Sequence, residues 1–487
     1  MVTKAEVSKH SSKTNCWVII KGVVYDLTSF LDAHPGGSGI ILKYAGRDAT
    51  AVFESLHSND TIEKHLPPKF NLGPVTVSNE SQAEEKETNG SAAATTTSIP
   101  KTKRVSIKSI INIRDFELAA SQILPAKSFA FFKAGADDEL SAQWNRTSWQ
   151  AVRFRPRVLA PIRQVSLKTT ILGTEFSCPF FICPAGGAKL AHPTGELSLT
   201  RAAAKHDILH WVCNMAGYTQ SEISDARNAE AKEQKLFWQI YALSDLAVTE
   251  KEIRNAIKLG YKGLALTADA IRAGKRERDV RTSLPDEVDD GHDDDEDDDD
   301  GFANNPTVSR SNVWTDFDWV SAIRWLRGIT DLPIAIKGIQ TWEDAALCMH
   351  YGVHPWLSNH AGRQLDGAPS SVETLIAIRK NCPLVFEKCE VIVDGGITRG
   401  TDIVKALALG AKGVGLGRGF LYSLVFGEKG VSKAIRILKH EVETAMALLG
   451  VTSIDQLSPP HICFSGTPSA PLSHRCNFAF PTYDSLL

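Results

Sequence analysis

Eight short apolar runs, each followed by a stretch with helical patterning, dominate the chain from residue 179 to 417. They occupy 179–185, 208–214, 236–242, 263–269, 332–338, 353–359, 391–396 and 413–417. Apolar runs that alternate with helices predict parallel strands, because parallel neighbours need a long crossover rather than a hairpin. Eight such repeats are the arithmetic of an α/β TIM barrel, (β/α)8, whose reactive groups sit at the C-terminal strand ends. The polar residues cluster there: Gln239, Tyr241, Thr267, Asp269, Lys337, Ser358, His360, Asp394 and Arg418. An apolar strand that finishes in an ionisable side chain aims it at the barrel mouth.

A chain of 487 residues exceeds what this barrel needs, which leaves room for a smaller N-terminal domain. The division expected is a small α+β domain at 1–77, a linker at 78–104 and the barrel at 105–487. The linker is rich in Ser, Thr, Ala, Glu and Lys, a composition that does not bury. An acidic insertion is expected at 286–304, where 289–300 carries ten acidic residues and should be extended and solvated. The net charge of −3 provides no basic field for nucleic acid. Nine cysteines lie without a C-x-x-C pair, so neither a zinc site nor a disulfide framework is expected. There is no apolar run of about 18 residues to cross a bilayer, and no presequence pattern precedes the first domain. A cytoplasmic protein, with no membrane partner, is the expectation.

In the N-terminal region, 17–20 and 23–27 pattern as two strands joined by Lys21 and Gly22. Thr28 to Leu31 should then enter a helix that stops at His34-Pro35-Gly36-Gly37, where proline ends it and glycines admit a bulky planar ligand. His57 follows the apolar helical stretch 51–56, which would form the opposite wall. His10 and His65 lack such context and are expected in solvent. The span 4–75 resembles cytochrome b5, and the resemblance implies that His34 and His57 are the two axial ligands of haem b. Two imidazoles leave no open iron position, so such a haem carries electrons rather than binding oxygen.

From Ile107 onward the chain resembles the FMN-dependent 2-hydroxy acid dehydrogenases and oxidases. The motifs that carry the resemblance are SNHAGRQLD at 358–366, VDGGITRGTDIVKALALGAKGVGLGR at 393–418 and LALTADAIRAGKRERD at 264–279. With the haem-type module in front, the whole resembles the flavocytochrome b2 family, which implies electron flow from acid to FMN to haem and on to a one-electron acceptor such as cytochrome c.

Oxidising a 2-hydroxy acid needs a carboxylate anchor, a base, and a group that stabilises charge on the flavin. Arg363, three residues past His360, offers a planar fork that lysine cannot match, and Arg276 is a second anchor. His360 is the candidate base, with Asp269 to hold its tautomer and stabilise the imidazolium. Tyr241 can bond the substrate, and Lys337 should face the N1–O2 edge of the flavin. Asp394, Gly395, Gly396 and Arg399, with Gly417 and Arg418, resemble the phosphate loops after strands seven and eight. Gln239, Thr267 and Ser358 match family positions that contact the flavin ring, Pro184, Ala185 and Gly186 should run along its edge, and Cys213 is expected near it.

Departures from the pattern fall near this site. Phe131 stands where the family usually has a tyrosine whose hydroxyl meets the substrate carboxylate, Ala361 where a glycine is usual, Thr398 where an arginine is usual, and Cys213 where a serine is usual. Losing the tyrosine hydroxyl removes about 1 kcal/mol of interaction and favours an acid other than lactate, aliphatic or aromatic. Two alternatives stand beside the dehydrogenase: an oxidase that makes hydrogen peroxide, and a silent redox-binding protein. The resemblance also implies a homo-tetramer and, as an alternative to the cytoplasm, the mitochondrial intermembrane space.

Overall fold

In the computed structural model the described residues are 2–76 apart from 32, 35–37 and 59, and then 105–227, 235–282, 313 and 315–464. The expected linker, the acidic insertion, Pro35 to Gly37 and the last residues of the chain lie outside them.

All eight barrel strands form, each within a few residues of its expected ends. They are β1 (Phe180–Ile182), β2 (His210–Cys213), β3 (Leu236–Ile240), β4 (Leu264–Thr267), β5 (Ile334–Ile339), β6 (His354–Leu357), β7 (Ile392–Val393) and β8 (Gly413–Leu416). Each pairs in parallel with the next, and β8 returns to β1 to close the barrel. Alternate side chains along each strand face opposite sides. One set, including Phe181, Trp211, Phe237 and Trp356, fills the barrel interior, and the other joins the helices in the larger outer core. Trp211 and Trp356 lie 4.5 Å apart between ring centres, so large aromatics plug the centre below the rim.

The helix Leu140–Ala151 packs over the rim and shapes it. A Cβ on Gly396 would fall 1.8 Å from the Asn145 carbonyl oxygen, and one on Gly362 would fall 2.4 Å from the Ala142 nitrogen. The backbone therefore approaches too closely at both positions for any side chain.

The N-terminal domain holds a five-stranded sheet. Asn15–Ile20 and Val23–Asp26 pair as an antiparallel hairpin, with Lys21 and Gly22 both at positive φ, as a two-residue turn requires. The helix expected from Thr28 is only a 3-10 turn, Thr28–Phe30, because Asp26 caps Thr28 and bends the chain locally. The helix Thr50–Leu56 forms as expected and leads directly to His57. His10 is not simply solvated: its ring stacks on Trp17 with centres 3.5 Å apart. The eight described cysteines are all free thiols.

Candidate active site and haem pocket

The loop after β6 carries His360, the candidate base, in an unusual conformation. His360, Ala361 and Gly362 all have positive φ, at 56°, 59° and 74°. Two of these are not glycine, so the turn stores strain at the candidate base. The result is a ring with both nitrogens directed: His360 Nδ1 lies 3.0 Å from Asp269 Oδ1, and Nε2 lies 3.4 Å from the Tyr241 hydroxyl. A carboxylate at Nδ1 fixes the proton there and leaves Nε2 as the acceptor. Burial alone would raise Asp269, but the His360 imidazole and Lys337 outweigh it and hold the carboxyl below its usual range. Gly338 makes room, since a Cβ there would meet Asp269 Cβ at 2.5 Å.

Arg363 and Arg276 converge beside this pair. Their guanidinium carbons lie 5.3 and 5.5 Å from the centre of the Phe131 ring, so the ring that replaces the usual tyrosine interacts with both cations. Arg363 also donates to the Phe131 and Ala134 carbonyls at 2.8 and 2.9 Å, which sets its fork in place. Burial, with Arg276 and Arg418 nearby, pushes the Arg363 guanidinium below its usual range. Cations gathered so closely at a partly dry rim suit a carboxylate ligand.

Lys337, within β5, is buried and donates to Ser358 Oγ at 3.2 Å. Burial works against its charge, but Asp394 and Asp269 outweigh that and push the ammonium above its ordinary value. Gln239 donates to Thr267 Oγ1 at 2.7 Å, joining two of the expected flavin contacts across β3 and β4. Cys213, at the end of β2, accepts from the Met215 N–H at 3.3 Å. Gly186 faces the same segment: a Cβ there would lie 3.2 Å from the Met215 carbonyl oxygen. Pro184, Ala185 and Gly186 therefore follow β1 along the rim toward β2.

Two expected phosphate contacts are placed differently. Arg399 is turned toward helix Gly427–Leu449, where Nη1 donates to Glu441 at 2.8 Å. Glu441 thus serves as its counter-ion and also accepts from the Gly400 N–H. The Asp394 carboxylate points inward, to Ser358 and Trp356, rather than to the glycine turn beside it. Thr398 bonds Asp402 and adds no cation.

What remains fits a phosphate. Gly395 and Gly396 turn at φ 94° and 76°, and among the described residues neither N–H makes a hydrogen bond. Gly417 precedes Arg418, which donates to the Lys133 and Ala361 carbonyls and has further N–H groups to offer. Trp356 and the reciprocal Asn145–Asn359 amide pair, at 2.8 and 3.0 Å, also support the rim. No local sequence signal marks them, because each partner is distant in the chain.

In the N-terminal domain the His34 and His57 ring centres lie 6.0 Å apart. Imidazole nitrogens about 2 Å from one shared metal put the ring centres roughly 6 Å apart. The pair therefore has the spacing of two residues that would hold a single iron between them. The His57 ring also contacts the Phe53 carbonyl through Nδ1 at 3.2 Å, which leaves Nε2 as the nitrogen for a metal. Among the described residues no group of three or more His, Cys, Asp or Glu could hold a free metal ion. A two-histidine set makes sense when a porphyrin supplies the remaining ligands. The helix Thr50–Leu56 touches the loop after β1, where Lys189 Nζ donates to the Glu54 carbonyl at 3.3 Å.

A His–Asp pair, an arginine cluster and a buried lysine on a barrel rim, with a bis-histidine domain in the same chain, define a two-cofactor oxidoreductase. The chain belongs to the FMN-dependent dehydrogenase family, which it matches over residues 120–464, and residues 3–76 match the cytochrome b5-like heme/steroid binding domain. It is 40% identical over 472 residues to the L-lactate dehydrogenase (cytochrome) of Wickerhamomyces anomalus, covering 94% of this chain and 79% of that protein. The protein of the same name from Saccharomyces cerevisiae is 37% identical over 481 residues, with the same coverages. The recombinant flavin-binding domain of baker's yeast flavocytochrome b2 superposes with a TM-score of 0.67 at 34% identity, covering 78% of this chain and 94% of that one. The cofactors of this chain are FMN and haem. Among the described residues no helix is long and apolar enough to cross a membrane.

Proposed function

We propose that the chain oxidises an L-2-hydroxy acid, lactate or a related acid, to the 2-oxo acid and passes the electrons from FMN through haem b to a one-electron acceptor such as cytochrome c. The observation that carries this reading is the His360 ring, held by Asp269 on one side and facing Tyr241 on the other, next to the Arg363 and Arg276 pair. Arg363 and Arg276 bind the substrate carboxylate. Tyr241 orients the substrate by hydrogen bonding, and His360 Nε2 takes its proton. Asp269 then stabilises the imidazolium by charge, which keeps the proton off the departing product. Bound FMN supplies the two-electron acceptor, and bound haem supplies the one-electron outlet.

Lys337, Gln239, Thr267, Ser358 and the Pro184 to Gly186 segment would hold the flavin ring, with Cys213 at its edge. Gly395, Gly396, Gly417 and Arg418 would hold its phosphate, with Arg399 and Asp394 in supporting positions. His34 and His57 would hold the iron. The working unit is a homo-tetramer, and the compartment is the cytoplasm, with the intermembrane space as the family's alternative.

The test is steady-state turnover with a panel of L- and D-2-hydroxy acids, scored in parallel for cytochrome c reduction and peroxide formation. Cytochrome c reduction with one L-acid is expected; peroxide as the sole product would make the chain an oxidase.

A further inference from the structure

The most buried charges at the rim form a network beneath the lysine. Asp394, just past β7, accepts from Ser358 Oγ at 2.7 Å through one oxygen. Its other oxygen accepts from the Trp356 indole N–H at 3.0 Å and lies 3.9 Å from Lys337 Nζ. Ser358 Oγ in turn accepts from Lys337 and from the His360 N–H, at 3.2 and 3.1 Å. The remaining ionisable groups facing the pair are Asp269, Tyr241 and the Cys183 thiol, whose Sγ lies 3.9 Å from Asp394. One ammonium therefore answers two carboxylates, Asp394 and Asp269.

We propose that Asp394 is a positioning residue that sets the reducing power of the flavin, because as counter-ion to Lys337 it holds down the positive field that Lys337 directs at the N1–O2 edge. This rests on the reading that Lys337 faces FMN. The geometry favours this role over a phosphate contact, since both carboxylate oxygens are engaged inside the barrel. It also favours it over a passive ion pair. A lysine needed only for packing would be replaced at little loss by an apolar side chain, whereas a buried charge with a matched partner fixes a field. Burial is the larger influence and pushes the Asp394 carboxyl up, and Lys337 is the main group that supports its charge, so the carboxylate depends on the partner it restrains.

The test uses the full-length holoenzyme and Asp394→Asn, with released flavin measured first. Wild-type protein that takes up no FMN would defeat the underlying reading rather than this proposal. At wild-type FMN content the variant should bind sulfite about tenfold tighter, since one unit charge is removed 3.9 Å from the Lys337 ammonium. Its flavin midpoint potential should rise by the equivalent of that factor, about 30 mV for a two-electron couple. The haem potential should not move. Trp356→Phe removes one donor to Asp394 and keeps an aromatic plug, and should shift both readouts in the same direction by less. It carries the test if Asp394→Asn does not load. Unchanged sulfite affinity and potential in a fully loaded variant would overturn the proposal.

Discussion

Asp269 Oδ1 and His360 Nδ1 lie 3.0 Å apart although 91 residues separate them, and the Asp269 side chain is only 3% exposed. A carboxylate this buried can act on the imidazole with little screening. Asp269→Asn keeps the shape and removes the charge that stabilises the imidazolium. Turnover with the best acid should fall by roughly 10²- to 10⁴-fold while FMN and haem contents stay at wild-type levels. Steady-state kinetics with cofactor quantification checks this, and a loss below fivefold would show that the pair is structural.

Phe131 should decide substrate preference. Its ring lies against Arg363 and Arg276, the proposed carboxylate anchors, and over Gly187, where a Cβ would be 3.2 Å from its Cε1. Phe131→Tyr adds a hydroxyl beside the carboxylate site, worth about 1 kcal/mol or roughly fivefold in kcat/KM for a small acid. The ratio of kcat/KM for lactate to that for a phenyl-bearing 2-hydroxy acid should therefore rise. A ratio unchanged in the variant would place the ring outside the substrate's reach.

Ala361 should carry measurable strain. At φ 59° it holds a conformation that disfavours a Cβ by about 1 kcal/mol. Ala361→Gly is expected to stabilise the barrel by about that amount, read as a higher midpoint in denaturant at an unchanged slope. A destabilised variant would mean that the methyl group packs usefully.

Glu252 predicts a pH dependence of stability. Burial is the main cause that pushes its carboxyl up to about 7, with Asn214 beside it at 3.4 Å and the charges of Lys64 and Asp60 acting from the haem domain. The folded protein then binds the proton more tightly than the unfolded chain. Stability from this group is full below the unfolded value, near 4.5, and is lost as pH rises through about 7. Glu252→Gln should therefore stabilise the fold at pH 8 on the order of 1–3 kcal/mol, read as a higher thermal midpoint, and change little at pH 4. Equal effects at both pH values would contradict the assignment.

The barrel was legible because strand alternation, length and polar strand ends are all local features, and β1 to β8 lie where those features put them. His360 and Lys337 were legible for the same reason, an ionisable residue near the end of an apolar run, and Arg363 from its place three residues past His360. The structure adds what depends on long-range packing. Arg399 meets Glu441 from a helix 42 residues away, which no local pattern signals. Trp356 reads as an ordinary strand aromatic until its indole N–H is seen on Asp394. The left-handed turn at His360 and Ala361 is equally silent, since neither residue type requires it.

The central claim is electron flow from acid to FMN to haem within one chain, and anaerobic stopped-flow mixing with a 2-hydroxy acid tests it most directly. The account predicts that flavin absorbance bleaches first and that the reduced haem bands then grow in at a rate independent of protein concentration. In His57→Ala the flavin should still bleach while the haem bands are absent. Haem that stays oxidised after the flavin of the intact protein has bleached would contradict it.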